Sequence, residues 1–318
     1  MYVDKRNWKE YEKDLIARKK KIAEFFIREP TNEELSAELE KMNAGKVGHK
    51  FEIPETIIIY FHFLKCTART DDRMLTLQLT SFQNRIMGTD RADFDHSAVV
   101  KRREKLDLDI PFAITPQGLN GKRLYFDGMC LRVGRGGNYR SMRYGTKVKY
   151  LRVGLFSDDG GRTVDFVIGD EHDAEINMIR EKKGDILKSG ADSFDVDGAG
   201  SAQDVVVDLA TAKIKPIIRA SKSVVEAHSN APPPDQCIRE KKPDDLIWEK
   251  YVKEQEDYQR WRVETGYSSR WVFSEGKISS FKRAFGEEVL CRKQKTIHDE
   301  ICVKFMVLDT KLPELWPG

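Results

Sequence analysis

Cysteine is scarce and never clustered. The five in 318 residues (Cys66, Cys130, Cys237, Cys291 and Cys302) include no C-x-x-C pair, which excludes a zinc ribbon or a disulfide framework and suits reduced thiols in a cytoplasm. No stretch approaches the ~18 apolar residues of a membrane span, and the opening Met1-Tyr-Val-Asp-Lys-Arg lacks the apolar centre of a secretion signal. A large charge of one sign is missing too: the net is only +3, so affinity for nucleic acid has to come from basic side chains gathered locally. No two histidines stand at metal-ligand spacing, and His172 beside Asp173 reads as an exposed strand-end pair. Gly134-Arg-Gly-Gly137 lacks the Gly-Lys-Ser/Thr of a phosphate loop and reads as a hairpin turn. Asp195-Val-Asp197 lacks the threonine expected of a phosphatase.

What is present is enough apolar material, 40% hydrophobic and 10% aromatic, for a buried core of roughly 200 residues with a smaller domain appended. Residues 1–116 read as a small all-α domain. Trp8, Tyr11, Leu15, Ile16, Ile22 and Phe26 form one apolar face. Thr31-x-x-Glu34 is a capping box, and Pro54 opens a helix apolar on most sides (Ile57, Ile58, Ile59, Tyr60, Phe61, Phe63). A helix over 74–86, a polar turn, and a helix from Asp95 or Ser97 carrying Lys101, Arg102, Arg103 and Lys105 have the form of a helix-turn-helix with a DNA-facing second helix. A solvated basic face is the equal alternative.

From residue 117 the periodicity changes. Arg123–Val133, 149–156 and 163–168 alternate as strands, the last two joined by the turn Asp158-Asp-Gly-Gly161. Then follow an amphipathic helix (Ile176, Ile179, Ile186, Leu187), a short strand ending at Asp197, a helix (Val205, Val206, Leu209) and a strand over 214–218. This β-β-β-α-β-α-β order is that of a ribonuclease H-like mixed sheet with flanking helices, an α/β fold extending over 117–318. Residues 220–262, with Pro232-Pro-Pro234, read as a surface insertion. A helix opening near Ser274 and another over 296–307 close the chain.

Three acids come from separate elements: Asp127 within the first strand in Leu-Tyr-Phe-Asp-Gly, Asp195 or Asp197 in Phe-Asp-Val-Asp-Gly-Ala, and Glu275 near a helix start. Alternation places Asp195 and Asp197 on one face and does not choose between them. Carboxylates converging on one point hold hard divalent ions, and two such ions ~4 Å apart drive in-line phosphodiester displacement. Lys282 lies two helical turns after Glu275, on the same face. Arg270 suits a bidentate phosphate contact and Tyr267 a stacked or hydrogen-bonded ring. Lys277, Arg283, Arg292, Lys293 and Lys295 make the surroundings basic.

The run Tyr267-x2-Arg270-x4-Glu275-x6-Lys282, with Leu-Tyr-Phe-Asp-Gly and Asp-Val-Asp-Gly-Ala upstream, resembles the DDE transposases of bacterial and archaeal insertion sequences, in the group marked by Tyr, Arg, Glu and Lys around the third acid. Glu-Lys-Leu-Asp-Leu-Asp-Ile-Pro over 104–111 is also similar to archaeal members. The similarity is clearest over 120–310. The step from Arg270 to Glu275 is one residue longer than the commonest form. The resemblance implies a catalytic and metal-binding triad of Asp127, Asp197 and Glu275, two Mg²⁺ or Mn²⁺ ions, and Tyr267, Arg270 and Lys282 on DNA. It further implies a cytoplasmic, nucleoid-associated transposase that cleaves terminal inverted-repeat DNA, joins the 3′-end to target DNA, and acts as a homodimer when DNA-bound. A catalytically silent DNA-binding derivative and a non-mobile ribonuclease H-like nuclease are the alternatives.

Overall fold

Thr31, Pro54 and Asp95, the start signals read in the sequence, each stand at the head of a helix. The computed structural model describes residues 8–134, 149–229 and 242–316. Arg135 to Gly137, Pro232 to Pro234, and the side chains of Trp8 and Tyr11 lie outside the described residues. Helix α1 spans Trp8–Ile27 and α2 Asn32–Asn43. Thr31 caps α2 through the expected box: its hydroxyl accepts from the Glu34 N–H at 3.2 Å and the Glu34 carboxylate accepts from the Thr31 N–H at 2.7 Å. Pro54 precedes α3 (Glu55–Ala68), Asp71 caps α4 (Asp72–Met87), and Asp95 caps α5 (His96–Arg103).

The sheet is mixed. Strands β1 (Arg123–Val133), β2 (Tyr150–Asp158) and β3 (Thr163–Asp170) are antiparallel; β4 (Ser193–Val196) and β5 (Lys215–Ile218) run parallel to β1, in the order β3-β2-β1-β4-β5. A sixth strand, β6 (Glu288–Val289), also pairs with β1. β2 takes one edge of β1 over Leu124 to Arg132, while the other edge pairs with β4 only over Arg123 to Tyr125 and with β6 only at Arg132 and Val133. Between those two short ladders β1 has an unpaired notch, and Asp127 lies in it.

Helices cover both faces because β1 and β2 alternate two apolar sets. Leu124, Phe126 and Phe156 pack with Met178, Ile179, Val205 and Val206 from α6 (Glu175–Lys188) and α7 (Gln203–Thr211). Met129, Leu131, Val153 and Leu155 pack with Phe281, Phe305 and Phe63 from α11 (Gly276–Phe285), α12 (Gln294–Asp309) and α3. α3, apolar on most sides, therefore serves two neighbours, the amino-terminal helices and the sheet.

Residues 220–262 are less superficial than the sequence suggests. They hold α8 (Lys222–Ser229) and α9 (Pro243–Lys253), and α10 (Tyr258–Thr265) begins within them. Trp248, Tyr251 and Val252, three and four residues apart on α9, pack into the core against α7 and β5, and the Tyr251 hydroxyl donates to the Ile218 carbonyl. That helical spacing is a core-facing stripe, so the expectation of a surface insertion fails for α9.

Gly154, opposite Gly128 on the paired strand, lets α6 approach the sheet. A Cβ there would stand 2.7 Å from the Phe126 ring and 2.9 Å from the Met178 sulfur. Gly154→Ala is expected to cost about 1–3 kcal/mol by overpacking; urea unfolding at an unchanged midpoint and slope would disprove this account of the packing.

Candidate active site

Four elements converge on the notch in β1. Asp127 comes from β1, Asp197 from the residue following β4, and Glu275 from a turn that runs into α11. Tyr267 and Arg270 come from the short segment linking α10 to that turn. Asp197 caps a single 3₁₀ turn, its carboxylate accepting from the Ala199 N–H at 2.8 Å.

Arg270 occupies the centre. Its guanidinium donates to Glu275 Oε1 at 2.7 Å and lies 3.7 Å from Asp127 Oδ2. Asp127, Glu275, Asp197 and the Tyr267 phenol are its electrostatic neighbours. The five-residue step from Arg270 to Glu275 is taken up by the backbone. Trp271–Glu275 is a π-helical turn, closed by a bond from the Gly276 N–H to the Trp271 carbonyl. In an α-helix residues five apart point roughly 140° apart around the axis, whereas the wider turn brings them into line. The turn is fastened to the sheet: the buried Ser157 hydroxyl donates to the Phe273 carbonyl at 2.9 Å, and the Tyr125 and Ser269 hydroxyls are 3.3 Å apart.

Asp195 and Asp197, alternatives in the sequence, differ in their partners. Asp195 is fully buried and already engaged by Arg123 at 2.7 Å and the Ser193 hydroxyl at 3.0 Å. Arg123 also donates to the Thr265 carbonyl at 3.0 Å, so Asp195 anchors the end of α10, just before Tyr267. Asp197 is only partly buried, and its charge acts on Asp127 and Arg270.

The electrostatics follow from this crowding. Burial raises the Asp127 carboxyl to about 6; Glu275 and Asp197 push the same way, against Arg270 and the Gly128 N–H. Burial likewise pushes the Tyr267 phenol up to about 12, so it stays protonated and able to donate.

Other expected residues are placed differently. Tyr267 is only 8% exposed and packs on Trp261 with ring centroids 5.1 Å apart, beneath the Arg270 guanidinium at 5.6 Å. Lys282 pairs with Glu287 at 3.0 Å and, among the described residues, with none of the three acids. In α5 the structure corrects two DNA-facing assignments. Arg103 is 5% exposed and shares Asp72 with the buried Lys65, and Arg102 donates to the Ile53 carbonyl at 2.5 Å while lying over the Phe51 ring. The eight-residue helix is buried through Val99 and Arg103, and of the four basic residues only Lys101 on it and Lys105 just beyond it are fully exposed. Among the other expected basic residues, Lys277 is buried against Asp309, Lys293 pairs with Glu104 and Lys295 with Asp299, leaving Arg283 and Arg292 exposed. His172 is exposed beside Glu171.

Two residues escaped the sequence reading. Trp271, next to Arg270, is 70% exposed; a tryptophan inside the signature run was a signal. Glu175 lies over Gly128, and only the fold brings it there.

Among the described residues, no three His, Cys, Asp or Glu side chains stand close enough around one point to hold an ion as they lie, with a guanidinium wedged between two of the acids. The donors are nonetheless all carboxylate oxygens, as hard divalent ions require, and the space between Asp127 and Glu275 is already cationic. The residues fit such ions in kind and in charge, provided Arg270 turns outward. No protein-family model matches the chain, and no curated protein matches it.

A carboxyl with a higher pKa folded than unfolded favours the fold when protonated. The penalty of ionised Asp127 is thus absent below its ordinary value of 3.8 and complete above about 6. Asp127→Asn is therefore expected to stabilise the chelated protein at pH 7.5 by about 1–3 kcal/mol, and by little at pH 4. Denaturant midpoints at the two pH values check this, and a less stable variant at pH 7.5 would show that these acids do not strain the fold.

Proposed function

We propose that the protein is a metal-dependent DNA strand-transferring nuclease of the insertion-sequence transposase type, with a ribonuclease H-like catalytic unit in which Asp127, Asp197 and Glu275 hold divalent ions. One observation carries this reading: at a break in the sheet a single arginine pairs with Glu275 and lies against Asp127, two acids distant in sequence, with Asp197 among its electrostatic neighbours. Structural acids on a soluble protein are ordinarily paired singly or left in solvent, and like charges are not gathered without a cation to oppose them. The sheet order supports the fold part of the reading, since the first acid lies on the central strand and the second follows its parallel neighbour.

Divalent ions bound there would activate the attacking hydroxyl and stabilise the leaving oxygen in an in-line displacement. The chain's own groups do the rest. Asp127, central and deepest of the three, would hold the ions together with Asp197 and Glu275. Arg270, released from Glu275, offers a bidentate contact to a phosphate of the strand being cut. Tyr267, protonated and packed on Trp261, supports that guanidinium from below and can donate to the same phosphate. Trp271 presents an open aromatic face on which an unpaired base can stack. Lys101, Lys105, Arg283, Arg292 and Lys282 are the cations left for flanking backbone, and Lys282 has to leave Glu287 to reach it.

Asp127→Ala and Glu275→Gln are each expected to lower Mg²⁺- or Mn²⁺-dependent nicking of end-containing DNA by at least about a thousandfold, as for loss of a group central to charge stabilisation, with DNA binding in a mobility-shift assay kept within a few-fold. Cleavage by either variant at the wild-type rate would sink the assignment. Nicking without joining of the 3′-end to a second duplex would favour a non-mobile nuclease, and failure of the wild-type chain to nick would favour a silent DNA-binding derivative.

A further inference from the structure

A cavity of about 390 Å³ opens between the starts of α4 and α12, the end of α5 and the residues after β6. None of the acids proposed to hold ions lines it. Two of its lining cations are buried, Lys65 at 3% exposure and Arg103. Both are engaged with Asp72, so two cations share one carboxylate. Buried charges are ordinarily matched one to one, and here one positive charge is left over. The buried Glu300 does not offset it, being matched by Lys304 and by the Leu290 and Cys291 N–H groups. Burial, and next Arg103, hold the His62 imidazole at about 3, so it stays neutral. Arg103 also keeps a buried Nε that no acceptor meets among the described residues, and an unmet buried donor is costly.

Helix α12 adds donors to the same cavity. It begins after Lys293 with no side-chain cap. Its first bond runs from the Ile297 N–H to the Lys293 carbonyl at 2.9 Å, so the N–H groups of Gln294, Lys295 and Thr296 have no partner within the helix. The start of α4 differs: there Asp71 accepts from the Arg73 and Met74 N–H groups, each at 3.0 Å. An uncapped helix start favours an anion. Arg292, exposed at the mouth, pairs with no acid among the described residues, whereas Lys293 is held by Glu104.

We propose that this cavity binds the terminal phosphate of a phosphomonoester, with the Arg103 Nε and the start of α12 as donors and Lys65 and Arg292 as counter-charge. A tetrahedral dianion accepts from several donors at once and takes up the surplus charge. Lys65 and Arg103 are too buried to meet the backbone of a duplex lying on the surface, which favours an end over a passing strand. The cavity is of the size of small-ligand sites, roughly 300–1,000 Å³. A mononucleotide and the 5′-end of a DNA strand present the same group.

Calorimetry of the full chain in EDTA, which keeps divalent ions from the acids, tests this. The probes are dAMP against deoxyadenosine, and a 5′-phosphorylated against a 5′-hydroxyl single-stranded oligonucleotide. Binding that requires the phosphate is expected in at least one pair, and the pair that shows it identifies the carrier. Arg103→Lys, which keeps the charge but removes the Nε donor, and Arg292→Ala are each expected to weaken it by about tenfold or more, as for loss of a charged hydrogen bond. Arg270→Gln, at the other site, is expected to leave it unchanged. If Arg103→Lys fails to fold by far-ultraviolet dichroism, Arg292→Ala alone decides. No gain from the phosphate in either pair, a gain that survives these substitutions, or one abolished by Arg270→Gln would overturn the proposal, and the function proposed above does not depend on it.

Discussion

Everything at the candidate site depends on mutual repulsion among its carboxylates and on the guanidinium that opposes it. Asp127, Asp197 and Glu275 are brought together by a sheet strand, the end of a parallel neighbour and a helix start, none of which gains stability from the meeting. Arg270 offsets part of that cost: it bonds Glu275 and lies against Asp127 from a shared, largely dry position. Desolvation still prevails at Asp127, whose carboxyl is raised in spite of the arginine. A site strained in this way favours any cation that can take more carboxylate oxygens than a guanidinium can, and the displaced arginine is then free to meet a phosphate.

The scaffold around that repulsion is rigid where it has to be. The notch in β1 exists because β4 and β6 pair with only its two ends, leaving room for side chains where a continuous neighbour would fill the space. Asp195 does not join the acids; held by Arg123 and Ser193, it ties β4 and β1 to the end of α10. Two aspartates of one short motif thus divide the labour, one structural and one open, by a difference of two residues in where β4 ends. The π-helical turn makes a similar adjustment, aligning Arg270 with Glu275 across five residues where an α-helix would set them apart.

The amino-terminal helices show how a charged sequence pattern misleads. Lys101, Arg102, Arg103 and Lys105 form one basic run, but a helix displays consecutive residues on all its sides. Val99 and Arg103, four apart, share the inward stripe, and Arg103 is accepted there because Asp72 neutralises it. Burial against Asp309 removes Lys277 from the basic surface the sequence suggested, while Lys293 and Lys295 stay exposed, each paired with an acid. Charge counts read along a chain overestimate the cations available to a partner, since the partners already present are distant in sequence.

Local rules sufficed for much of the chain. The capping box at Thr31, the proline before α3, the alternation of β1 to β3 and the 3.6-residue period of α6 each specify an element through neighbours a few residues away, and the acids could be proposed from the ends of such elements. What local rules could not supply was distance. The burial of α9, the retirement of Asp195, the wedge of Arg270 between Asp127 and Glu275, and the seat of Glu175 over Gly128 all depend on contacts between residues tens to more than a hundred positions apart. Sequence by itself determined which elements form and which side chains carry charge; only the tertiary structure decided which charges face one another, because that follows from where strands end and helices cross.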